Sequence, residues 1–257
     1  MDGDSYVKTP ATSFNRHKER GTYDAETVHN IVNTTSVCHV SFMPSPDDPF
    51  PAILPMIAQI GHFPDSQDDA PSCYLHGYVS SRLMKLGADG TSSSGVPVCV
   101  AATKVDGFLL ALTPFNHSYN YRSVMLQGTA TIVDDDAEKM WAMELITDSV
   151  VPGRWANTRV PPDKPEITST RVMKVRIERA SAKIHTGNAK SDRKDLKNEE
   201  VVNGVWTGVV PVWETFGTPI PSPDNRVKDI PAHVADFVKN ENLNAEELAV
   251  GAARAEE

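Results

Sequence analysis

The stretch from Tyr74 to Leu86 sets the terms for the rest of the chain, because it reads as a strand that runs directly into a helix. Tyr74, Leu75 and Tyr78 have strand character, while Leu83 and Leu86 open an apolar face at helical spacing. Gly77, near the end of that strand, has no side chain to keep a ligand or another backbone away. Ser80, Ser81 and Arg82 stand at the junction. A helix start leaves N–H groups unpaired at the positive end of the helix dipole. The two hydroxyls add donors, and a guanidinium grips phosphate oxygens through two parallel bonds. Serine is also among the commonest residues to begin a helix, so the junction reads either as a phosphate-binding corner or as a plain cap.

The segments around it are mostly strands. Asp24 caps a short helix in which Val28, Ile31 and Val32 share a face. Ser36 to Phe42 alternates, with Cys38, Val40 and Phe42 on one side and Val37, His39 and Ser41 on the other. Phe50 to Ile57 carries Pro51 and Pro55, which donate nothing to a ladder; this run is expected at a sheet edge, at a bulge, or where a ligand replaces a partner strand. Asp106-Gly107 is a hairpin signal between Val96–Val105 and Gly107–Thr113. Gly128 interrupts Val124–Val133 and predicts a bulge or bend. Asp134–Asp136 cap a helix through Val150 whose Met140 and Trp141 serve the core. Met173, Val175 and Ile177 mark a half-buried strand, Ser181–Thr186 continues the sheet after a turn, and Val205–Pro211 is strand-like again. The sum is a mainly β fold with peripheral helices (α+β), of six or seven mostly antiparallel strands curving into a closed or partly closed barrel.

Composition narrows the function. The 257 residues carry a formal net charge of −9 and no basic stripe, which argues against nucleic acid as a partner. No apolar run is long enough to cross a membrane, and Met1-Asp2-Gly3-Asp4 is acidic where a signal peptide is basic, so the expectation is a cytoplasmic protein. Cys38, Cys73 and Cys99 are odd in number and widely spaced, which predicts buried free thiols. No nucleophile-elbow triad, Walker loop or zinc spacing is present, so a metal site is not expected.

Several ordered segments carry a resemblance. Arg20-Gly21-Thr22-Tyr23-Asp24, Val37-Cys38-His39-Val40, Tyr74-Leu75-His76-Gly77, Ser81-Arg82, Pro97-Val98-Cys99-Val100, His117 to Val124, Pro152-Gly153-Arg154-Trp155 and Ser181-Ala182-Lys183 are similar to the pyridoxamine 5'-phosphate oxidase-related, FMN-binding split-barrel family, in its flavin-nucleotide-binding branch. The resemblance implies an antiparallel split β-barrel and a homodimer with FMN in a groove between subunits. The phosphate would lie at Ser81-Arg82 and the ring against the strands holding Pro55 and His76. Cofactor-contacting positions are then Pro55, Met56, Leu75, His76, Gly77, Ser80, Ser81, Arg82, Tyr121, Arg122 and Trp206. The likeness covers Arg16 to Val212. The implied division is a mobile lead of residues 1–15, a cofactor-binding domain of residues 16–215 and a Pro-rich, then helical tail of residues 216–257.

Flavin chemistry belongs to the cofactor, so no catalytic side chain needs to be evident. His76 reads as a hydrogen-bonded structural group or as a cofactor ligand, since relatives of this barrel include haem-binding proteins. Asn120, Tyr121 and Arg122 suit the flavin, the partner subunit or only their own loop. Two function classes follow: an FMN-dependent oxidoreductase acting on a small molecule, or a carrier of FMN or haem without turnover. The Gly/Ser-rich connector Gly87–Gly95 reads as a surface insertion.

Overall fold

The computed structural model describes residues 5–66, 70–88 and 95–255. Most of the Gly87–Gly95 connector, and part of the polar loop at Asp65–Asp69, lie outside the described residues. The strands are β1 (Gly21–Thr22), β2 (Cys38–Phe42), β3 (Ala52–Met56), β4 (Ala58–Gly61), β5 (Ser72–Tyr78), β6 (Val96–Leu110), β7 (Ser118–Ile132), β8 (Thr170–His185) and β9 (Gly208–Pro211). The helices are α1 (Ala25–Asn33), α2 (Arg82–Ala88), α3 (Asp136–Val150), α4 (Lys164–Ser169), α5 (Arg193–Leu196), α6 (Glu199–Gly204) and α7 (Ala232–Arg254).

One nine-stranded sheet holds all the strands among the described residues, more than the six or seven expected. Seven follow the order β3-β2-β6-β7-β8-β5-β4, with β1 added on β8 and β9 on β6. The ladders β2–β3, β2–β6, β4–β5, β5–β8 and β6–β9 are antiparallel. The path ends on β3 and β4, which follow each other in the chain with Ile57 alone between them. Pro55 lies in β3, an end strand of that path, where a residue without an N–H is tolerated. β7 runs unbroken through Gly128, where a Cβ would collide with the Arg176 carbonyl oxygen, so the glycine serves the close approach of β8.

Contact density divides the chain into two compact units. The first runs to Thr103 and resumes over Ser123–Ala182. In it α3 lies over β4 and β5, burying Tyr74, Val133, Ala142, Ile146 and Val172, with Ile57, Trp141, Met143 and Leu145 packed around them. The Trp141 ring meets Tyr74 edge-on at 5.2 Å, which gives the expected core role to this helix. Each large side chain removed from water here contributes about 1.5–3 kcal/mol. Asp24 accepts the Thr27 N–H at 2.8 Å and starts α1, which buries Val28, Ile31 and Val32. The polar lead-in is pinned at Tyr6: 4% exposed, its amide donates to the Tyr23 carbonyl at 2.8 Å and its hydroxyl lies 2.6 Å from His29 Nε2. Cys38 and Cys73 are buried and Cys99 half-buried, all as free thiols; burial pushes Cys38 up to about 11 and Cys73 higher still.

The second unit comprises Lys104–Arg122 and the chain from Lys183 onward. The expected hairpin at Asp106-Gly107 is not there, because β6 runs unbroken from Val96 to Leu110. Asp106 is spent otherwise: its buried carboxylate accepts two bonds from Arg122, from Nε at 2.9 Å and from a terminal nitrogen at 2.7 Å. Gly107 faces Pro211 in β9, and a Cβ there would lie 2.8 Å from a Val209 methyl, so the glycine admits a neighbouring strand rather than a turn. The turn expected before Ser181 is also absent, since β8 continues through His185.

The tail is folded onto this unit. Phe216 stacks obliquely on Phe237 with centroids 4.9 Å apart, and Asn242 exchanges two bonds with the Phe216 backbone. Ala249 is buried, and the Ala252 carbonyl accepts the Gly187 N–H at 2.8 Å. Asn120, wholly buried, donates from Nδ2 to the Gly187 carbonyl at 3.0 Å. A few well-placed apolar residues are thus enough to dock the otherwise polar α7.

Candidate functional site

The strand-to-helix reading holds at the corner after β5. The Ser81 N–H donates to the Tyr78 carbonyl at 2.9 Å, closing a tight turn, and the Val79 N–H reaches the Ser169 carbonyl at 3.0 Å. Lys85 N–H then bonds the Ser81 carbonyl at 3.0 Å, the first helical bond of α2, and Leu83 and Met84 are buried beneath. Gly77 has a different use from the one expected. A Cβ there would sit 3.0 Å from Met84 Cε and 3.5 Å from Ser81 Oγ, so the open space is taken by α2 itself. Ser80 and Arg82 are exposed, and Arg82 has no hydrogen-bond or ion-pair partner among the described residues. With only seven residues, α2 has a short dipole, so the guanidinium and the hydroxyls carry most of any pull on an anion.

A second guanidinium at this corner was not singled out from the sequence. Arg171 faces Gly77 across the β5–β8 ladder, and one of its terminal nitrogens donates to the Met84 carbonyl at 3.1 Å and, more weakly, to the Val79 carbonyl at 3.4 Å. Lys139 donates to the Ile167 carbonyl at 2.7 Å; burial lowers its pKa, against an upward pull from Asp136 and with a smaller lowering by the positive charge of Arg171. In sequence, Arg171 looks like a polar residue just before an alternating strand, and only the ladder register reveals its position.

His76 stands opposite Val172, with a buried Nδ1 that has no hydrogen-bond partner among the described residues. Burial lowers its pKa, which favours the neutral imidazole. Pro55 and Met56 lie at the end of β3 opposite His39 and Cys38, and Ile57 alone separates them from Ala58, which pairs with Leu75. Leu75 is fully buried, so its side chain presents no surface to a ligand.

Tyr121, Arg122 and Trp206 belong to the second unit. Of the uses open to Arg122, at the flavin, at the partner subunit or within its own surroundings, the structure shows a local one: both of its bonds go to buried Asp106. Tyr121 is half-buried beside the His185 ring, with centroids 6.1 Å apart. Trp206 precedes β9 and is 67% exposed.

A cavity of about 520 Å³ opens elsewhere in the first unit, lined by Thr129, Thr131, Glu138, Lys174 and Arg176 among others. Glu138 accepts the Tyr74 hydroxyl at 2.6 Å and lies 3.2 Å from Lys174 Nζ, so its innermost charges already answer each other. None of the residues predicted from sequence lines it. No group of three or more His, Cys, Asp or Glu among the described residues is placed to hold a metal ion, and no helix among them is long and apolar enough to cross a membrane.

Comparison with known proteins sets this corner in a family. No curated protein matches the chain. Among solved structures, the flavocytochrome Anf3 from Azotobacter vinelandii superposes with a TM-score of 0.72 at 29% identity, over 89% of this chain and 97% of that one. The FAD and heme binding protein from Mycobacterium smegmatis gives a TM-score of 0.69 at 26% identity, over 85% and 97%. The model of the pyridoxamine 5'-phosphate oxidase family matches residues 24–184, from the cap of α1 through the Ser81-Arg82 corner to the penultimate residue of β8. That span exceeds half of the 257 residues and contains the corner entire, and the chain therefore belongs to the pyridoxamine 5'-phosphate oxidase family.

Proposed function

We propose that this protein binds FMN, with the phosphate at Ser80, Ser81 and Arg82, and acts as a flavin-dependent oxidoreductase on a small molecule. The observation that carries the reading is Arg82: an exposed guanidinium with no partner among the described residues, beside two serines on a turn closed by the Ser81–Tyr78 hydrogen bond. An arginine left open in this way suits a phosphate dianion through two charge-assisted bonds. Pro55 and Met56 supply apolar surface for the ring, and neutral His76 supplies a donor or acceptor at its edge. Bound flavin would contribute hydride or single-electron transfer. The fold we infer is a split barrel, supported by the two end strands of the seven-strand path being separated by Ile57 alone.

We also infer a homodimer. Phe108 and Val210 face each other in the β6–β9 ladder and remain 44% exposed each, and the Phe108 ring meets Tyr119 edge-on at 5.4 Å. Such a surface fits association of two copies. Sedimentation at micromolar concentration checks it, with a monomer that still carries flavin as the contrary result.

The test of the site is a titration with FMN, FAD and riboflavin on wild type and Arg82→Ala. The expected result is weaker FMN binding in the variant with riboflavin unchanged. Equal weakening of both, or of neither, places the phosphate elsewhere. A second reading is a haem-binding protein, favoured by the buried Nδ1 of His76, which has no partner among the described residues and whose burial favours the neutral ring, and by the two solved structures named for flavocytochrome and haem. The absorption spectrum separates flavin from haem, and bleaching by a reduced nicotinamide separates an enzyme from a carrier.

A further inference from the structure

We infer that Arg171 is the positioning residue of the Ser80–Arg82 turn, holding it in one conformation before any ligand arrives. Its place in the β5–β8 ladder, directly opposite Gly77, is the first part of the case. Neighbours in that register share a face, and Gly77 has no side chain, so α2 settles onto β5 through Met84 and Ser81. Arg171 reaches the same elements from β8. A single terminal nitrogen reaches the Met84 carbonyl inside α2 at 3.1 Å and the Val79 carbonyl ahead of the turn at 3.4 Å.

Those two carbonyls bracket Ser80, Ser81 and Arg82, so one cation from β8 ties both ends of the turn to the sheet. The Val79 N–H also bonds the Ser169 carbonyl, two residues from Arg171, which makes the tie two-sided at Val79. Charge-assisted bonds to carbonyls are stronger than neutral ones and hold the backbone they reach. The burden falls on Arg171 because, among the described residues, the backbone of the turn is held locally by just the Ser81–Tyr78 bond and the Lys85–Ser81 bond that opens α2.

For flavin affinity, this inference rests on the proposed phosphate site; for the turn, it does not. A turn already set when the phosphate arrives spares the cost of ordering it, so loss of Arg171 weakens FMN through the turn without touching the ring. The experiment uses the full chain as wild type, Arg171→Met and Arg171→Lys. Amide hydrogen exchange is measured without ligand, and FMN and riboflavin are then titrated. In Arg171→Met, exchange over residues 79–85 is expected to rise about tenfold while the β2–β3 ladder stays protected, and FMN is expected to weaken about tenfold with riboflavin nearly unchanged. Arg171→Lys, shorter by one bond but still cationic, recovers part of both effects.

Unchanged exchange at the turn overturns the inference, even if FMN weakens, because Arg171 would then act as a direct contact. Looser exchange with unchanged FMN affinity, where Arg82→Ala does weaken it, also overturns the positioning role. If wild type binds no FMN, the phosphate reading fails, and the exchange data alone decide for or against the clamp. Should Arg171→Met not fold, the same measurements on Arg171→Lys decide it, with intermediate shifts expected.

Discussion

The turn at Arg82 and the β6–β7 strand pair at Arg122 each hold an arginine that the sequence marks for a cofactor, yet their physical states are opposite. Arg122 is 20% exposed and meets, at 2.7 Å, an Asp106 carboxylate that is 7% exposed. A carboxylate so buried must be neutralised or paired, and in this geometry its claim on the guanidinium comes first. Arg82 is exposed and has no ion-pair partner among the described residues. An arginine is available to a ligand only when the fold has not already claimed its charge, and what shows this is burial of the neighbouring acid rather than the arginine's own motif.

Mutation can break that contrast. The largest expected effect is at Arg122: Arg122→Met strands Asp106 as a buried unpaired charge and should cost about 3–5 kcal/mol in stability, seen as a lower urea midpoint. Adding Asp106→Leu should return much of that loss, since it removes the stranded charge. Next comes Arg82→Ala, which should weaken FMN by about 1.5–3 kcal/mol, with Arg82→Lys recovering part of it. Its urea midpoint should hardly move, because exposed side chains without partners contribute little to stability. If Arg82→Ala unfolds the protein, or Arg122→Met leaves it stable, the contrast is wrong.

The smallest effect expected is a dependence on pH in the unit that carries Arg82. Burial lowers the pKa of His29 and of His76 below the ordinary 6.5, against a lesser upward pull from Asp24 at His29. The unfolded chain therefore binds these protons more readily than the folded one. Stability from both is complete above about pH 6.5 and is lost as pH falls through that value toward the lower folded pKa. Urea midpoints measured from about pH 7.5 down to about pH 5.5 should decline, and His29→Gln should flatten part of the slope. A midpoint that rises on acidification would reverse the assignment.

What sequence could foresee was local. The alternation of Cys38, Val40 and Phe42 marked the buried face of β2, and the junction at Ser81 was evident because strand and helix periodicities meet there. Asp106-Gly107 misled because the turn signal is a property of two residues. What overrides it comes from Arg122, sixteen positions on, and from β9, about a hundred positions on. Arg171 was missed for the same reason, since its partners Val79 and Met84 are 92 and 87 residues away. The docking of α7 rests on Phe237 and Ala249, which its polar average conceals.

The single-residue break at Ile57 gives the molecule a chemical clock. Cys38 faces Met56 in one ladder, while in the other Cys73 lies two positions before Leu75, the partner of Ala58, so buried thiols flank the break from both sides. Burial holds both as protonated thiols, inert to alkylation until the strands part. The rate at which a maleimide labels them in the native protein therefore measures how often this seam opens, with half-exposed Cys99 on β6 as the internal reference. Equal rates at Cys38 and Cys73 would mean that β3 and β4 come away as one piece. A faster Cys38 would mean that the seam parts first along β2, with β4 still held by β5.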